Sequence, residues 1–211
     1  MFDFIDVDQN TDEWFLLRSG KLTSSKLGTI MANYGKAFGE PAKKYAVNIA
    51  IEQITGNPIL SDYTNAHMER GHEQEPFARA LYEEETFCDV SNGGFFEGGF
   101  VGCSPDGLVS KDGVIEIKSV IGSVHFANIK RQTVDPAYRW QCIGNLKFTG
   151  RDWLDFISYC ADFPVGKQLY THRLLQKDLT EEFRMIDSRI AQFENLVHDT
   201  KQLILESNYN T

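Results

Sequence analysis

GCSPDGLVSKDGVIEIKSV, Gly102 to Val120, is the stretch whose reading decides the fold. Two short apolar segments flank Lys111-Asp112-Gly113, a turn able to send the chain back antiparallel. Over Val114–Ser119 the two-residue period of a strand sends Ile115 and Ile117 to one face and Glu116 and Lys118 to the other. The isoleucines can then enter a core while the acid and the amine, about 7 Å apart along the strand, share a cleft. The turn brings Asp106, just after Pro105, beside Glu116 from the neighbouring strand.

Two carboxylates converging at a strand edge suit a hard divalent cation such as Mg²⁺. A nearby ammonium can stabilise a hydroxide nucleophile or the charge that builds on a phosphate. The plain alternative is an exposed hairpin with a cross-strand acid–lysine pair, worth less than about 1 kcal/mol. An acid-x-Lys triplet alone is weak, since Asp199-Thr200-Lys201 forms another with no Pro-Asp before it. Ser-Pro-Asp-Gly, a short turn and apolar-Glu-apolar-Lys in succession are far more specific.

Outward from this hairpin, short strands broken by Gly, Asn-Gly and Asp-Gly occupy 87–118. Before them, Asn10 or Thr11 caps a short helix with Trp14, Leu17 and Arg18; LTSSKLGTIM (22–31) opens a second helix capped by Thr23 or Ser24. A helix from Pro41 stops at Gly56, and a long one covers about 65–85. After the hairpin come helices near 123–131 and 136–147, strands within 152–163 and 168–176, and an amphipathic helix from Leu179 to about Glu206. No linker or repeat interrupts this order. The expectation is one domain, 1–211, of α/β (α+β) class, with a central mixed sheet flanked by helices.

Composition narrows the function classes. The 211 residues are 42% hydrophobic, so a real core is expected. Four scattered cysteines with no C-x-x-C pair give little support to a zinc or iron–sulfur site, and read as free thiols. No apolar run reaches the roughly 20 residues that cross a bilayer, and MFDFIDVDQN lacks the regions of a signal peptide. A cytoplasmic location without membrane association follows as an expectation. A net charge of -9 argues against a general polyanion binder, but cations gathered in one channel would still admit nucleic acid.

Asp106…Glu116-Ile117-Lys118 resembles the PD-(D/E)xK nuclease signature, and CSPDGL followed by IEIK is especially similar to the phage lambda exonuclease (YqaJ-type alkaline exonuclease) family. The likeness extends in order through LRSGKLTSSKL, ERGHEQEPFARALY and YRWQC, and spans roughly residues 12–150. It implies a restriction-endonuclease-like core. It implies that Asp106, Glu116 and the main-chain carbonyl of Ile117 bind the metal, Mg²⁺ with Mn²⁺ as substitute. Lys118 would orient or help deprotonate the attacking water, and the Gly-x-x-x-Glu element at Gly71 and Glu75 would supply another acid. The Tyr-x-x-Gln pair falls on Tyr138 and Gln141, and Arg18, Ser25 and Ser104 would hold a terminal 5′ phosphate. Two positions depart from the pattern: Val124 stands where lambda exonuclease has a basic residue, and Ile143 where a second glutamine is expected. A weaker 5′-phosphate preference is the consequence expected here.

Other residues carry their own readings. His67 and His72, five apart, fall on different helix faces and make poor joint ligands. Glu69, Glu73 and Glu75 compete as the helical acid until the family spacing selects Glu75. The hydroxyls and cations of RSGKLTSSKL suit a phosphate at a helix start, though ordinary capping explains the serines equally. Lys130, Arg131 and Arg139 around Tyr138 and Trp140 form a basic–aromatic cluster able to grip a DNA backbone, or a solvated face over a core tryptophan.

The reading that follows is a Mg²⁺-dependent exonuclease. The resemblance implies degradation of double-stranded DNA from the 5′ end, mononucleotide products and 3′ single-stranded overhangs for recombination. It also implies a homotrimer ring, a single-strand annealing protein as partner, and a phage or prophage origin in a bacterial cytoplasm. The alternatives are a structure-specific or restriction-type endonuclease, and a DNA-end-binding recombination adaptor with a weak nuclease site. A Cas4-like iron–sulfur nuclease is disfavoured by the unclustered cysteines.

Overall fold

The computed structural model describes residues 2–59 and 66–207, with backbone only at 66–69. The chain runs β1 (Asp3–Ile5), α1 (Asp12–Arg18), β2 (Leu22–Thr23), a 3₁₀ turn (Ser24–Lys26), α2 (Leu27–Met31), α3 (Glu40–Thr55), α4 (Ala66–Thr86), β3 (Val90–Ser91), β4 (Phe95–Gly98), β5 (Val101–Cys103), β6 (Gly107–Val109), β7 (Gly113–Ser119), α5 (Gly122–Arg131), α6 (Arg139–Thr149), β8 (Trp153–Tyr159), β9 (Leu169–Leu175), a second 3₁₀ turn (Gln176–Asp178) and α7 (Thr180–Glu206). Among the described residues no helix is long and apolar enough to cross a membrane.

The expected hairpin is β6–β7, paired antiparallel with Gly107 opposite Ile115. It sits inside a five-stranded mixed sheet of order β3-β6-β7-β8-β9, in which β7 and β8 run parallel. One face carries Ile115, Ile117, Ile157 and Tyr159, which pack with Ala78 and Tyr82 of α4. The other carries Val114, Leu154 and Phe156, which join a larger core with Cys142, Ile143 and Leu146 of α6, Ile49 of α3 and Phe193 of α7. Both faces of β7 are therefore covered, and its charged face is turned toward α6.

Local rules account for most boundaries. Thr11, not Asn10, caps α1 by accepting from the Trp14 N–H at 3.3 Å. Gly56 ends α3 in the left-handed region at φ 68, as its position predicts. The C-terminal carbonyls around α2 are taken by buried Arg189 of α7, which donates to the carbonyls of Ile30 at 2.7 Å and Lys36 at 3.0 Å. Asn65, the expected start of the long helix, lies outside the described residues.

Three expectations need correction. LTSSKLGTIM does not open directly as a helix. Leu22 and Thr23 pair parallel with Val101 and Gly102, and the serines form the 3₁₀ turn. β-Branched Thr23 suits the strand, and Ser24 points inward instead of capping. The helix expected from Pro136 begins at Arg139, because Asp135 closes a turn by accepting from the N–H groups of Ala137 and Tyr138. A second, four-stranded sheet of order β1-β4-β5-β2 was not expected, and its strands are two to four residues long. The four cysteines are free, as expected.

Gly144 of α6 allows one close approach. A Cβ there would lie 2.2 Å from Leu27 Cδ1 and 3.2 Å from Ser24 Cβ, so only glycine lets the 3₁₀ turn and α2 seat against α6. Gly144→Ala is expected to destabilise the fold by about 1–3 kcal/mol through overpacking. Thermal unfolding checks this: an unchanged Tm would mean that Leu27 moves aside freely.

Candidate active site

Asp106 enters the site through the backbone of β7. Its N–H donates to the Ile115 carbonyl at 3.2 Å, and its Oδ2 accepts from the Ile117 N–H at 2.6 Å. Gln9 holds the same turn from outside by donating to the Pro105 carbonyl at 2.9 Å. The carboxyl is thus fixed by main-chain geometry, as a Ser-Pro-Asp-Gly turn beside a strand edge allows.

Glu116 is fully buried on the α6 face of β7. Its Oε1 accepts from Lys118 Nζ at 2.5 Å and Gln141 Nε2 at 2.5 Å, and its Oε2 accepts from Asn145 Nδ2 at 2.6 Å. Gln141 and Asn145 are one helical turn apart on α6, so both reach the same carboxyl. Lys118 Nζ also lies 5.2 Å from the Tyr138 ring centroid, in cation–π range.

Glu75 comes from α4. That helix is pinned to the sheet by Tyr82, whose hydroxyl donates to Asp155 Oδ2 at 2.8 Å, and by Arg79, which donates to the Val90 carbonyl. Asp155 is held in turn by Arg173, with Nε and Nη2 both at 2.7 Å. Glu75 and Tyr82 are seven residues apart, hence on one face of α4. Glu73 is exposed and outside the cleft, whereas Glu75 lines it. The side chains of His67 and Glu69 lie outside the described residues.

The acids influence one another. Burial, then the nearby Asp106, pushes Glu75 up to about 7. The same two causes push Glu116 up to about 8, and burial raises Asp106. Lys118 is driven up by Glu116 and Asp106 against the effect of its own burial, so it stays an ammonium. A site where Asp106 raises both Glu75 and the buried Glu116 is short of positive charge.

A cleft of about 740 Å³ opens on this constellation, lined by Glu75, Asp106, Ile117, Lys118, Tyr138 and Gln141 among others. Ser25 lines it too. Arg18 Nη2 donates to Ser25 Oγ at 3.4 Å, and the guanidinium stacks on Trp14, 4.0 Å from the ring centroid. The Trp14 Nε1 donates to Ser104 Oγ at 2.7 Å. Arg18, Ser25 and Ser104 are therefore gathered around one indole. Burial lowers Arg18 from its ordinary value, but a guanidinium stays charged.

The other basic residues are placed differently. Arg139 faces α7 and pairs with Glu182 at 2.5 Å, and Arg131 donates to Asn128 Oδ1 at 2.6 Å. Lys130 is exposed on α5. None of the three lines the cleft. Trp140 packs partly buried against the core, His72 and Val124 line the cleft, and Ile143 is core. The sequence reading missed Asn145, Trp14 and Gln9 as parts of the site. Only Asn145 left a signal, the i+4 spacing from Gln141.

Among the described residues no group of three or more His, Cys, Asp and Glu stands ready to hold a metal ion. The chemistry of the donor set nonetheless fits Mg²⁺: half-buried Asp106 and buried Glu116 meet at the hairpin around Ile117, and the repulsion that Asp106 exerts on Glu116 calls for a cation.

A family model described as a YqaJ-like viral recombinase domain matches residues 13–152. The alkaline exonuclease LHK-Exo from Laribacter hongkongensis is 30% identical, with a TM-score of 0.77, covering 94% of this chain and 100% of that one. Its complex with dAMP matches at 32% identity and a TM-score of 0.79, with the same coverage. A phage related exonuclease from Haemophilus somnus 129PT shares the fold at 16% identity and a TM-score of 0.66, covering 89% of this chain and 96% of that one. No curated protein sequence matches the chain.

The raised Glu75 predicts a pH dependence in metal-free protein. The folded state keeps a proton that the unfolded chain releases near 4.5, so the stability Glu75 contributes is present at low pH and is lost as pH rises toward about 7. In EDTA the Tm is expected to fall between about pH 5 and about pH 8, and less so in Glu75→Gln. Equal slopes for the two proteins would show that Glu75 is not held in this way.

Proposed function

Because the chain belongs to the YqaJ-like viral recombinase domain family, we propose that it is a Mg²⁺-dependent exonuclease that degrades the 5′-ended strand of duplex DNA. The observation that carries this is the joining of Asp106, Glu116, Lys118 and Gln141 at one cleft with the Arg18–Ser25 pair at its edge. The first group is suited to phosphodiester hydrolysis and the second to a chain end.

Asp106, Glu116 and the Ile117 carbonyl would hold Mg²⁺, with Mn²⁺ able to replace it. When bound, the metal polarises the phosphodiester and makes water a better nucleophile. Lys118, kept protonated by its two acids, orients the water and balances the charge that builds on the phosphate, and is not the base. Glu75, raised to about 7, is suited to accept a proton at neutral to alkaline pH. Gln141 fixes the Glu116 carboxyl and faces the cleft, where it can also orient the water.

A terminal phosphate carries nearly one negative charge more than an internal diester, which the Arg18 fork can read while the hydroxyls of Ser25 and Ser104 set its position. Tyr138, beside Lys118, would contact the substrate, and the exposed Lys130 and Arg131 of α5 would meet the flanking backbone. The dAMP complex of the related enzyme supports mononucleotide products. We extend the reading to 3′ single-stranded overhangs, a single-strand annealing protein as partner, and action in a bacterial cytoplasm with a phage or prophage origin. A homotrimer ring around DNA would let a chain of net charge -9 stay on its substrate by topology.

Linear duplex labelled at either end, with and without Mg²⁺, beside a closed circle, tests the reading. The 5′ label is expected to leave as mononucleotide only with Mg²⁺, and the circle to survive. Cutting of the circle would identify an endonuclease instead. Asp106→Ala and Glu116→Gln should each lose at least about a hundredfold in rate while remaining folded; near wild-type rates would reject the site. Arg18→Ala should lower the rate ratio of 5′-phosphoryl to 5′-hydroxyl ends by about tenfold, the scale of one charge-assisted hydrogen bond. An unchanged ratio would show that Arg18 does not read the end.

A further inference from the structure

Asn145 does more than satisfy Glu116. Its Nδ2 donates to Glu116 Oε2 at 2.6 Å, and its Oδ1 accepts from Ser24 Oγ at 2.5 Å. All three residues are buried. Ser24 opens the 3₁₀ turn whose next residue, Ser25, is bonded to Arg18 at 3.4 Å. The 3₁₀ turn joins Ser25 to Ser24 through the backbone, and from Ser24 a chain of hydrogen bonds runs through Asn145 to the carboxyl at the reacting centre and on to Lys118. Gly144 provides the close approach between α6 and the turn that this chain needs.

An amide fits the middle position. It must donate to a carboxylate on one side and accept from a hydroxyl on the other, which a side chain with one donor and one acceptor group does in a single orientation. A displacement of the 3₁₀ turn therefore turns the amide, and the amide turns Glu116. Buried hydrogen bonds in series are suited to such transmission, because a buried polar group that loses its partner is costly to leave unpaired.

We propose that Asn145 is a positioning residue that couples occupancy of the end-phosphate pocket to the orientation of Glu116. A phosphate on Arg18 and Ser25 steadies the 3₁₀ turn, Ser24 then steadies Asn145, and Glu116 presents its free lone pairs in one direction. The phosphorylated end is favoured in turnover as well as in binding. This rests on the proposed reading of Arg18 and Ser25 as the end-phosphate site.

The experiment separates kcat from KM on 5′-phosphoryl and 5′-hydroxyl duplex for wild type, Ser24→Ala and Asn145→Leu, with Mg²⁺ binding to the free proteins measured by calorimetry and folding checked by thermal unfolding. Ser24→Ala cuts the relay but leaves Glu116 its amide. It is expected to lower the phosphoryl-to-hydroxyl ratio of kcat about three- to tenfold, the scale of one buried hydrogen bond, with the KM ratio and Mg²⁺ affinity as in wild type. Asn145→Leu should lose the same ratio and also bind Mg²⁺ about tenfold or more weakly, as loss of a ligand's supporting partner does. A Ser24→Ala protein with the wild-type kcat ratio overturns the coupling alone. A wild type that does not distinguish the two ends overturns the coupling together with the end-phosphate reading. An Asn145→Leu protein that folds and binds Mg²⁺ like wild type overturns the positioning role.

Discussion

A fully buried glutamate is the constraint on which the rest of this structure depends. Glu116 stands on the central strand of a sheet covered on both faces, where an unpaired carboxylate would cost several kcal/mol. The fold meets that cost with three donors: Lys118 from the same strand, and Gln141 and Asn145 from α6. Each requires something larger. Lys118 requires the strand period, the two amides require α6 to lie across β7 at one register, and that register requires Gly144 against the 3₁₀ turn. Even with these partners the carboxyl is raised by burial and by Asp106, so the fold holds it in a state that a cation would relieve.

How much of this could be read from residues follows from the range of the forces involved. The hairpin was legible because alternation, a Pro-Asp pair and an Asp-Gly turn are local, and the structure places Asp106, Glu116, Ile117 and Lys118 where alternation puts them. The convergence of Gln141, Tyr138 and Ser25, with Arg18 bonded to Ser25, on one cleft was legible only through resemblance, since it joins segments more than a hundred residues apart. Asn145 left only its i+4 spacing from Gln141, which by itself does not mark a functional residue. A buried asparagine in a helix reads as a poor helix former until the glutamate across from it is known. The four-stranded sheet was missed for a similar reason: β4 and β5 fall within the short strands expected over 87–118, but β1 and β2, three and two residues long, carry too little periodicity to be seen. Arg139 shows the opposite failure. Its neighbours Tyr138 and Trp140 suggested a DNA-facing cluster, but helical geometry turns it away to Glu182 on α7.

The acidic balance of the chain is also explained by placement. Many cations are consumed internally: Arg173 by Asp155, Arg139 by Glu182, Lys21 by Glu97 and Lys147 by Asp187. These pairs hold elements together and offer little to a polyanion. Arg18 differs, since its hydrogen-bonding partners here are neutral hydroxyls and its other contact is the face of Trp14. A guanidinium flanked by hydroxyls keeps its charge available. One such group at the edge of a cleft gives local attraction for phosphate without making the whole surface sticky.

Discrimination of a chain end from an internal phosphate then becomes a question of where charge is left uncompensated. Lys118 is committed to two acids and cannot tell one phosphate from another. Among the described residues Arg18 has no acid partner at hydrogen-bonding distance, and the extra charge of a terminal phosphate is what it can measure. Because the turn that carries Ser25 also carries Ser24, whatever Arg18 gains from a chain end is felt one hydrogen bond later by Asn145 and two later by Glu116. An acid buried deeply enough to need three donors is, for that reason, an acid whose direction a neighbouring site can set.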